Sequence, residues 1–411
     1  SAAFAVADIG RQDLADTVAH LRTALEPKAA TLGDIPAFDL AAAHRLYRHL
    51  FEPVAAGWKD AKRLLVVAHG PLGYLPLSLL PTAAADPGPE IVPLFARYRS
   101  VPWLIRSHAV TVVPSVAGLR DLRTLPSSPA ARQAFVGFAD PWFSADQAAQ
   151  ARSQTTAESK VADISARDIN ARGINIRGLP VRLRATPETA QFDSAQIGRL
   201  PRLPDTADEI RGIATALQAD PTTSVFVGEA ASEGRVKSMD LSRTRVIAFA
   251  THGLVPGDLD GLTQPALALS SPAVVGGNDD GLLTMGEILG LKLDADWVVL
   301  SACNTGSGEG AGAEAISGLG RAFFYAGTRA LLVTNWQVET TSAHALTTDL
   351  FRRQAGNPGL DRAEAMRRTM LALIDRGGFQ NDSGKMIFSY AHPIFWAPFS
   401  LIGGSRTGPG A

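Results

Sequence analysis

A single cysteine, Cys303, stands just beyond an apolar run, Trp297 to Leu300, and Thr251-His252-Gly253 stands just beyond another, Arg245 to Ala250. Short runs of these residue types read as strands buried on both faces. In an open α/β fold, residues just past such strands reach the carboxyl edge of the sheet, where chemistry is placed. Two such ends side by side bring an imidazole within reach of a thiol. That pair can perform nucleophilic catalysis: Cys303 attacks a carbonyl, while His252 takes the thiol proton and later gives it to the leaving group. Gly253 has no side chain to block a substrate carbonyl. Its N–H, with that of Cys303, can form an oxyanion hole.

Plainer roles compete with these. A lone cysteine at a strand end is more often a small buried hydrophobe. His69-Gly70 follows the strand Arg63 to Ala68 and copies the His252-Gly253 pattern, although its half of the chain holds no cysteine. The glycines at 306, 308, 310 and 312 lack the Lys-Ser/Thr ending of a phosphate loop. The string Gly308-x-Gly310-x-x-Ala313 has no acidic residue about 20 positions on, as a dinucleotide site requires. No His or carboxylate spacing fits a metal, so neither metal nor other cofactor is expected. His392, before Pro393, reads as a turn residue.

The elements that must position the pair follow from pattern. Leu14, Val18, Leu21 and Leu25, then Leu40, Ala43, Leu46, Leu50 and Phe51, recur at helical spacing. Strands are expected at Arg63–Ala68, Ala109–Val113, Ala134–Phe138, Val225–Val227, Arg245–Ala250, Ala266–Ser270, Trp297–Leu300 and Ala330–Trp336. A short helix is expected near Val116–Leu122. Later helices are expected after a Thr206/Glu209 capping box, at Met285–Leu289, Glu314–Ala326, Thr341–Gln354, and Asp361–Asp375 behind an Asp361/Glu364 box. Ile394–Leu401 reads as an edge strand, because Pro398 cannot sit within a ladder. Strands alternating with helices predict a largely parallel α/β sheet. Between Phe143 and Leu200 neither period persists, which predicts an exposed polar linker with a helical alternative at Ala145–Ala151.

Composition bounds the function. The chain has 411 residues, 46% of them hydrophobic, enough for a sizeable core. A net charge of −1, from 39 basic and 40 acidic residues, offers no field for nucleic acid or an anionic membrane. One cysteine excludes an internal disulfide framework and any multi-cysteine zinc site. No apolar run approaches the roughly 18–20 residues of a membrane span. The opening Ser1-Ala-Ala-Phe-Ala-Val-Ala is too short and lacks the basic flank of a signal peptide, and a start at Ser1 points to a longer protein that was trimmed.

Several motifs together resemble one family. Thr251-His252-Gly253, Leu300-Ser-Ala-Cys-Asn-Thr-Gly306, Gly312-Ala-Glu-Ala-Ile-Ser-Gly-Leu319, Arg321-Ala-Phe-Phe324, Asn335-Trp-Gln-Val338, His392-Pro393 and Trp396-Ala397 are similar to the CHAT domain. Leu75-Pro-Leu-Ser-Leu-Leu80 and Val113-Pro-Ser115 resemble its amino-terminal half. This is a caspase-like cysteine peptidase group akin to separases, often attached to tetratricopeptide repeats. A histidine about 50 residues before the cysteine is also the caspase arrangement. The resemblance implies a caspase-like three-layer α/β/α sandwich: a helical N-terminus and pseudo-caspase lobe over 1–145, a polar linker over 146–200, and a catalytic lobe over 201–411. It matches His252 and Cys303 to the family's dyad residue by residue. It implies a bacterial, cytoplasmic endopeptidase acting on a protein or peptide through a thioester, controlled by an activating protein or a repeat region outside this chain. A catalytically silent scaffold and a thiol hydrolase acting on small esters are the rival readings.

The same resemblance sets Trp336 beside the bound peptide, as a wall of the pocket for the residue before the cut, with Gln337 and Glu339 near it. Trp336 as plain core is the alternative. Where the family more usually has Pro-Val-Asp-Asp, this chain has Gln337-Val338-Glu339-Thr340. From Thr334 to Thr341 there is one carboxylate, Glu339, and no Arg or Lys. Asp258 and Asp260 add negative charge in the loop after His252. A pocket of that charge predicts cleavage after Arg or Lys rather than Asp, with an apolar residue as rival. The plainer role for Glu339 is to cap the helix near Thr341. If the chain cuts itself, the cut is expected between Asp146 and Leu200.

Overall fold

The β-branched and aromatic runs become strands because each has a hydrophobic layer to meet on both faces. The computed structural model describes residues 2–126, 129, 131–156, 176–184, 197–259, 261–301, 311–381 and 383–404. Cys303, the glycine-rich stretch after it, Asp260 and much of the polar linker lie outside these residues. The strands are β1 (Arg63–Val66), β2 (Ala109–Val112), β3 (Gln133–Ala139), β4 (Val225–Val227), β5 (Thr244–Ala250), β6 (Gly253–Leu254) and β7 (Ala266–Ala268). They continue with β8 (Leu282–Thr284), β9 (Trp297–Leu300), β10 (Ala330–Thr334), β11 (Gly378–Gln380), β12 (Met386–Ser389) and β13 (Phe399–Gly403).

Eight of them form one sheet in the order β1-β2-β13-β10-β9-β5-β3-β4, with β6-β7-β8 and β11-β12 as small antiparallel sheets. Every neighbouring pair in the large sheet is parallel except β10 with β13. Two parallel blocks of opposite sense therefore meet at that pair. Strands drawn from 1–145 and from 201–411 share this sheet rather than each closing its own. The carboxyl end of β1, and with it exposed His69, points to the opposite edge from the carboxyl ends of β5 and β9.

Side chains alternate faces along each central strand, the period-2 geometry of a strand. Val246, Ala248, Trp297, Val299, Ala330 and Leu332 join one core with Ile210, Ile213, Leu346, Phe351, Met366 and Leu373. Ile247, Phe249, Val298, Leu300, Leu331 and Val333 join a second with Val236, Ile288, Leu319 and Phe323. The first core lies under the helices Asp205–Ala216, Thr340–Gly356 and Arg362–Arg376, the second under Ala311–Ala326 and shorter helices. The result is a mainly parallel sheet between helical layers. Phe249 stacks on Phe138 at 5.3 Å between ring centroids, and such buried side chains each contribute roughly 1.5–3 kcal/mol.

Four expectations need correction. β13 begins at Phe399, directly after Pro398, and lies inside the sheet between β2 and β10, while Pro393–Trp396 is a helical turn capped by His392. Proline before a strand needs no ladder donor, so it does not force an edge. Thr206 and Glu209 do not form a capping box: the helix starts at Asp205, Thr206 Oγ1 donates to the Leu203 carbonyl, and Glu209 is drawn to an arginine instead. Of the polar stretch, Ala145–Thr156 is helical, and Arg184, at the end of 176–184, is buried rather than exposed. At the second expected box, Asp361 caps as predicted, while Glu364 turns to Arg367 and Arg368. Among the described residues no helix is long and apolar enough to cross a membrane.

Candidate active site

Register sets the strands that precede the two sequence signals side by side. β5 and β9 pair in parallel with Phe249 opposite Leu300, and the Ser301 N–H extends the ladder by donating to the Phe249 carbonyl at 3.0 Å. His252 and Cys303 each follow that pair by three residues in sequence, and the two strands they follow are adjacent and of the same sense. His252 lies within the described residues and Cys303 outside them.

His252 is fully buried against the Phe143 ring, with centroids 5.5 Å apart. Its Nε2 lies 2.7 Å from the Pro201 carbonyl oxygen. A carbonyl only accepts, so Nε2 carries the proton and the neutral ring offers the lone pair of Nδ1. Nδ1 is buried and has no hydrogen-bond partner among the described residues. Burial pulls the imidazole down to about 4, opposed only by the Pro201 hydrogen bond. The ring is therefore an oriented, uncharged base at neutral pH.

Gly253 opens β6 opposite Leu267. The His252 carbonyl accepts from the Ala268 N–H at 2.9 Å, which makes Gly253 and Leu267 the non-hydrogen-bonded pair of that ladder. The Gly253 N–H is thus left out of it, as an oxyanion donor must be. Thr251 anchors the same turn through its hydroxyl to the Ala268 carbonyl at 2.5 Å.

Beside this edge sits a buried ionic cluster. Arg184 has no exposed side-chain surface. Its Nε donates to Asp205 Oδ2 at 2.9 Å, its Nη1 to Ser301 Oγ at 2.7 Å, and its Nη2 to Glu209 Oε2. Ser301 in turn lies 3.2 Å from Glu209 Oε2, and Thr340 Oγ1 donates to Asp205 Oδ2 at 3.0 Å. Asp205 and Glu209 stand one turn apart on one helix, and Ser301 lies two residues before Cys303.

The stretch after β10 departs from expectation in its side chains. Trp336 is in the core, its indole N–H donating to the Ile394 carbonyl at 3.3 Å. Glu339 is the N-cap of Thr340–Gly356, accepting from the N–H groups of Thr341 and Ser342 at 3.2 and 2.8 Å. Burial pushes its carboxyl up, against the pull of those amides. Its charge is committed to the helix end rather than to a pocket floor. Gln337 is half-buried, and Asp258 Oδ2 accepts from the Val255 N–H at 2.8 Å within the loop after His252. What this stretch offers to the site is backbone. Thr340 N–H donates to the Arg182 carbonyl at 2.9 Å, and Arg184 N–H donates to the Val338 carbonyl at 3.0 Å.

Sequence reasoning overlooked Pro201, Arg184, Asp205, Glu209 and Ser301. Pro201 acts through its main chain and carries no side-chain mark. Glu209 did carry one, because it falls on the apolar stripe with Thr206, Ile210 and Ile213. A carboxylate on such a stripe requires a buried cation. Among the described residues no group of three or more His, Cys, Asp or Glu is placed to hold a metal.

The model of the CHAT domain family matches residues 40–404, so this chain belongs to that family. Among solved structures the chain is similar to separase in the Saccharomyces cerevisiae separase–securin complex, at 11% identity and a TM-score of 0.37, over 76% of this chain and 14% of that one. It is similar as well to the Arg-specific cysteine proteinase gingipain R, at 9% identity and a TM-score of 0.38, over 96% of this chain and 75% of that one. The chain thus spans only a small part of the separase. No curated protein sequence matches it.

Proposed function

We propose that this chain is a cysteine endopeptidase in which His252 and Cys303 form the dyad. The observation that carries the reading is the His252 ring: buried, neutral, held through Nε2 by the Pro201 carbonyl, with Nδ1 unpaired among the described residues. By contrast, His392, buried in the core, uses both nitrogens, with the Ile394 N–H and the Pro36 carbonyl. The family and the β5–β9 register support Cys303 as its partner.

In the reaction, Nδ1 takes the Cys303 proton and the thiolate attacks the peptide carbonyl carbon. The Gly253 and Cys303 N–H groups stabilise the oxyanion. The C–N bond breaks as the imidazolium protonates the leaving amine, which leaves a thioester. Water, deprotonated by the same ring, hydrolyses the thioester and restores the thiol. A peptide substrate can add as a strand along Val338 and Thr340, whose backbone groups already accept and donate in that manner.

The test is exposure of the full chain to a peptidyl electrophile together with an unbiased peptide library. Stoichiometric labelling at Cys303 with turnover of peptides is expected. Labelling without cleavage of any peptide would favour a small-ester hydrolase. Absence of both would leave a scaffold.

A further inference from the structure

The peptidase reading leaves unsaid what the buried cluster beside the dyad is for. Arg184 does not arrive there on an element of the sheet or of its helical layers. It ends a short extended segment, Val181 to Arg184, that pairs antiparallel with the stretch after β10, Leu183 opposite Glu339. The two backbone bonds flanking that bridge, Arg184 N–H to Val338 and Thr340 N–H to Arg182, are those of a peptide strand added to an edge. Along it Arg182 is exposed, Leu183 half-buried and Arg184 fully buried, so only the last side chain descends beside Ser301.

The receiving pocket is made of two carboxylates and one hydroxyl. Each of three guanidinium nitrogens meets a different one of them: Nε meets Asp205, Nη1 meets Ser301, and Nη2 meets Glu209. Glu209 is itself without exposed surface, and its Oε1 has no hydrogen-bond partner among the described residues. Without Arg184, such a carboxylate demands another cation. A planar fork satisfies all three walls at once, whereas an ammonium point charge does not. Pro201, four residues before Asp205, holds His252. The pocket is thus linked to the base through one loop, and its Ser301 stands two residues before Cys303 in sequence.

We propose that Asp205, Glu209 and Ser301 form the pocket for the residue before the scissile bond, that this pocket selects arginine, and that Val181–Arg184 fills the groove in cis as a substrate. This rests on the peptidase reading for its chemistry, though not for its binding. For the cis strand, the Cys303 sulfur bonds to the Arg184 carbonyl carbon. The bond to the Ala185 nitrogen breaks, and that nitrogen takes the proton held by His252. Water then releases the Arg184 carboxylate and returns the proton to sulfur.

Three measurements on the full chain test this. Intact-mass analysis of wild type should give a new amino terminus at Ala185, absent from Cys303→Ala. Matched peptides differing only before the cut should give a kcat/KM for Arg more than tenfold above Lys and more than a hundredfold above Leu or Asp. Calorimetry with N-acetyl-arginine amide should detect binding to Cys303→Ala/Arg184→Ala and none to Cys303→Ala, with binding lost again when Glu209→Gln is added. The calorimetry needs no working thiol, so it separates failure of the pocket from failure of the peptidase. The wild-type arms need no pocket variant, so misfolding of Arg184→Ala does not void them. A chain that labels at Cys303 yet stays intact at Arg184, or cleaves equally after Leu, overturns the proposal while leaving the peptidase in place.

Discussion

The same central strands carry an arginine–carboxylate cluster at each end, and the two are built differently. At the amino end, Arg132 reaches Asp296 at 2.9 Å, Arg362 reaches Asp296 at 3.6 Å, and Arg329 pairs with Asp294. Arg132 immediately precedes β3, Asp296 precedes β9, Arg329 precedes β10, and Arg362 opens a helix. Both signs of charge are fixed by secondary structure there. Burial pulls Arg362 down to about 10, which leaves it charged. At the carboxyl end the carboxylates belong to the frame, but the cation comes on an added strand. A cluster whose partners are all framework meets a need of the fold. One whose cation arrives on an added strand is what the proposal of an exchangeable partner rests on.

The largest test of that contrast is removal of the dyad. Cys303→Ala and His252→Ala should each lower kcat/KM by a factor of about 10³ or more, with the double variant no worse, since the residues act as a unit. His69→Ala should leave kcat/KM unchanged, because β1 points that residue to the far edge of the sheet. A folded but inactive His69→Ala protein would reverse the assignment. Next in size is the amino end. Asp296→Asn should cost about 2 kcal/mol in denaturant melts, less than for a fully buried pair because Asp296 is partly exposed. The preference for the residue before the cut should not move. A shift in it would erase the distinction between the two ends.

A third effect depends on pH. Burial holds His252 at about 4 and His392 at about 3, below the ordinary 6.5. The unfolded chain therefore binds protons first as pH falls. Their contribution to stability is complete above about pH 6.5 and is lost progressively toward pH 4, at up to about 1.4 kcal/mol per pH unit for each ring. Buried Glu233, raised to about 7, slopes the other way. The comparison is therefore wild type against His392→Gln in urea melts between pH 7 and 5, where the variant should have the flatter dependence. An identical slope would mean that His392 is not held neutral. The smallest effect is that of Glu339→Gln, about 1 kcal/mol as a weakened helix cap, with arginine preference unchanged. Loss of that preference would return Glu339 to the pocket.

Much of the frame was legible because apolar runs such as Trp297–Leu300 and Arg245–Ala250 have one physical explanation in an α/β chain. The positions of His252 and Gly253 followed from it, since strand ends define a sheet edge. What escaped depended on main-chain atoms or on distant pairing. Nothing in a sequence marks the Pro201 carbonyl. Arg184 looked like one more polar residue in an irregular stretch, and Glu209 passed for a capping partner because Thr206 sits three residues before it. Strand order was hidden too. β3 and β13 are apolar runs whose neighbours are fixed by tertiary pairing rather than by local pattern.

The bond between His252 and Pro201 has a genetic consequence. The partner that fixes the imidazole is an atom every amino acid supplies, so no codon change at position 201 can delete it. A loss-of-function screen should then return missense alleles at His252, Cys303 and the pocket, but at no side chain whose role is to fix the imidazole. Pro201→Ala should read as nearly silent. The alleles that disable the ring through this contact should be single-codon insertions or deletions between Leu200 and Asp205, which move the carbonyl without changing any chemistry.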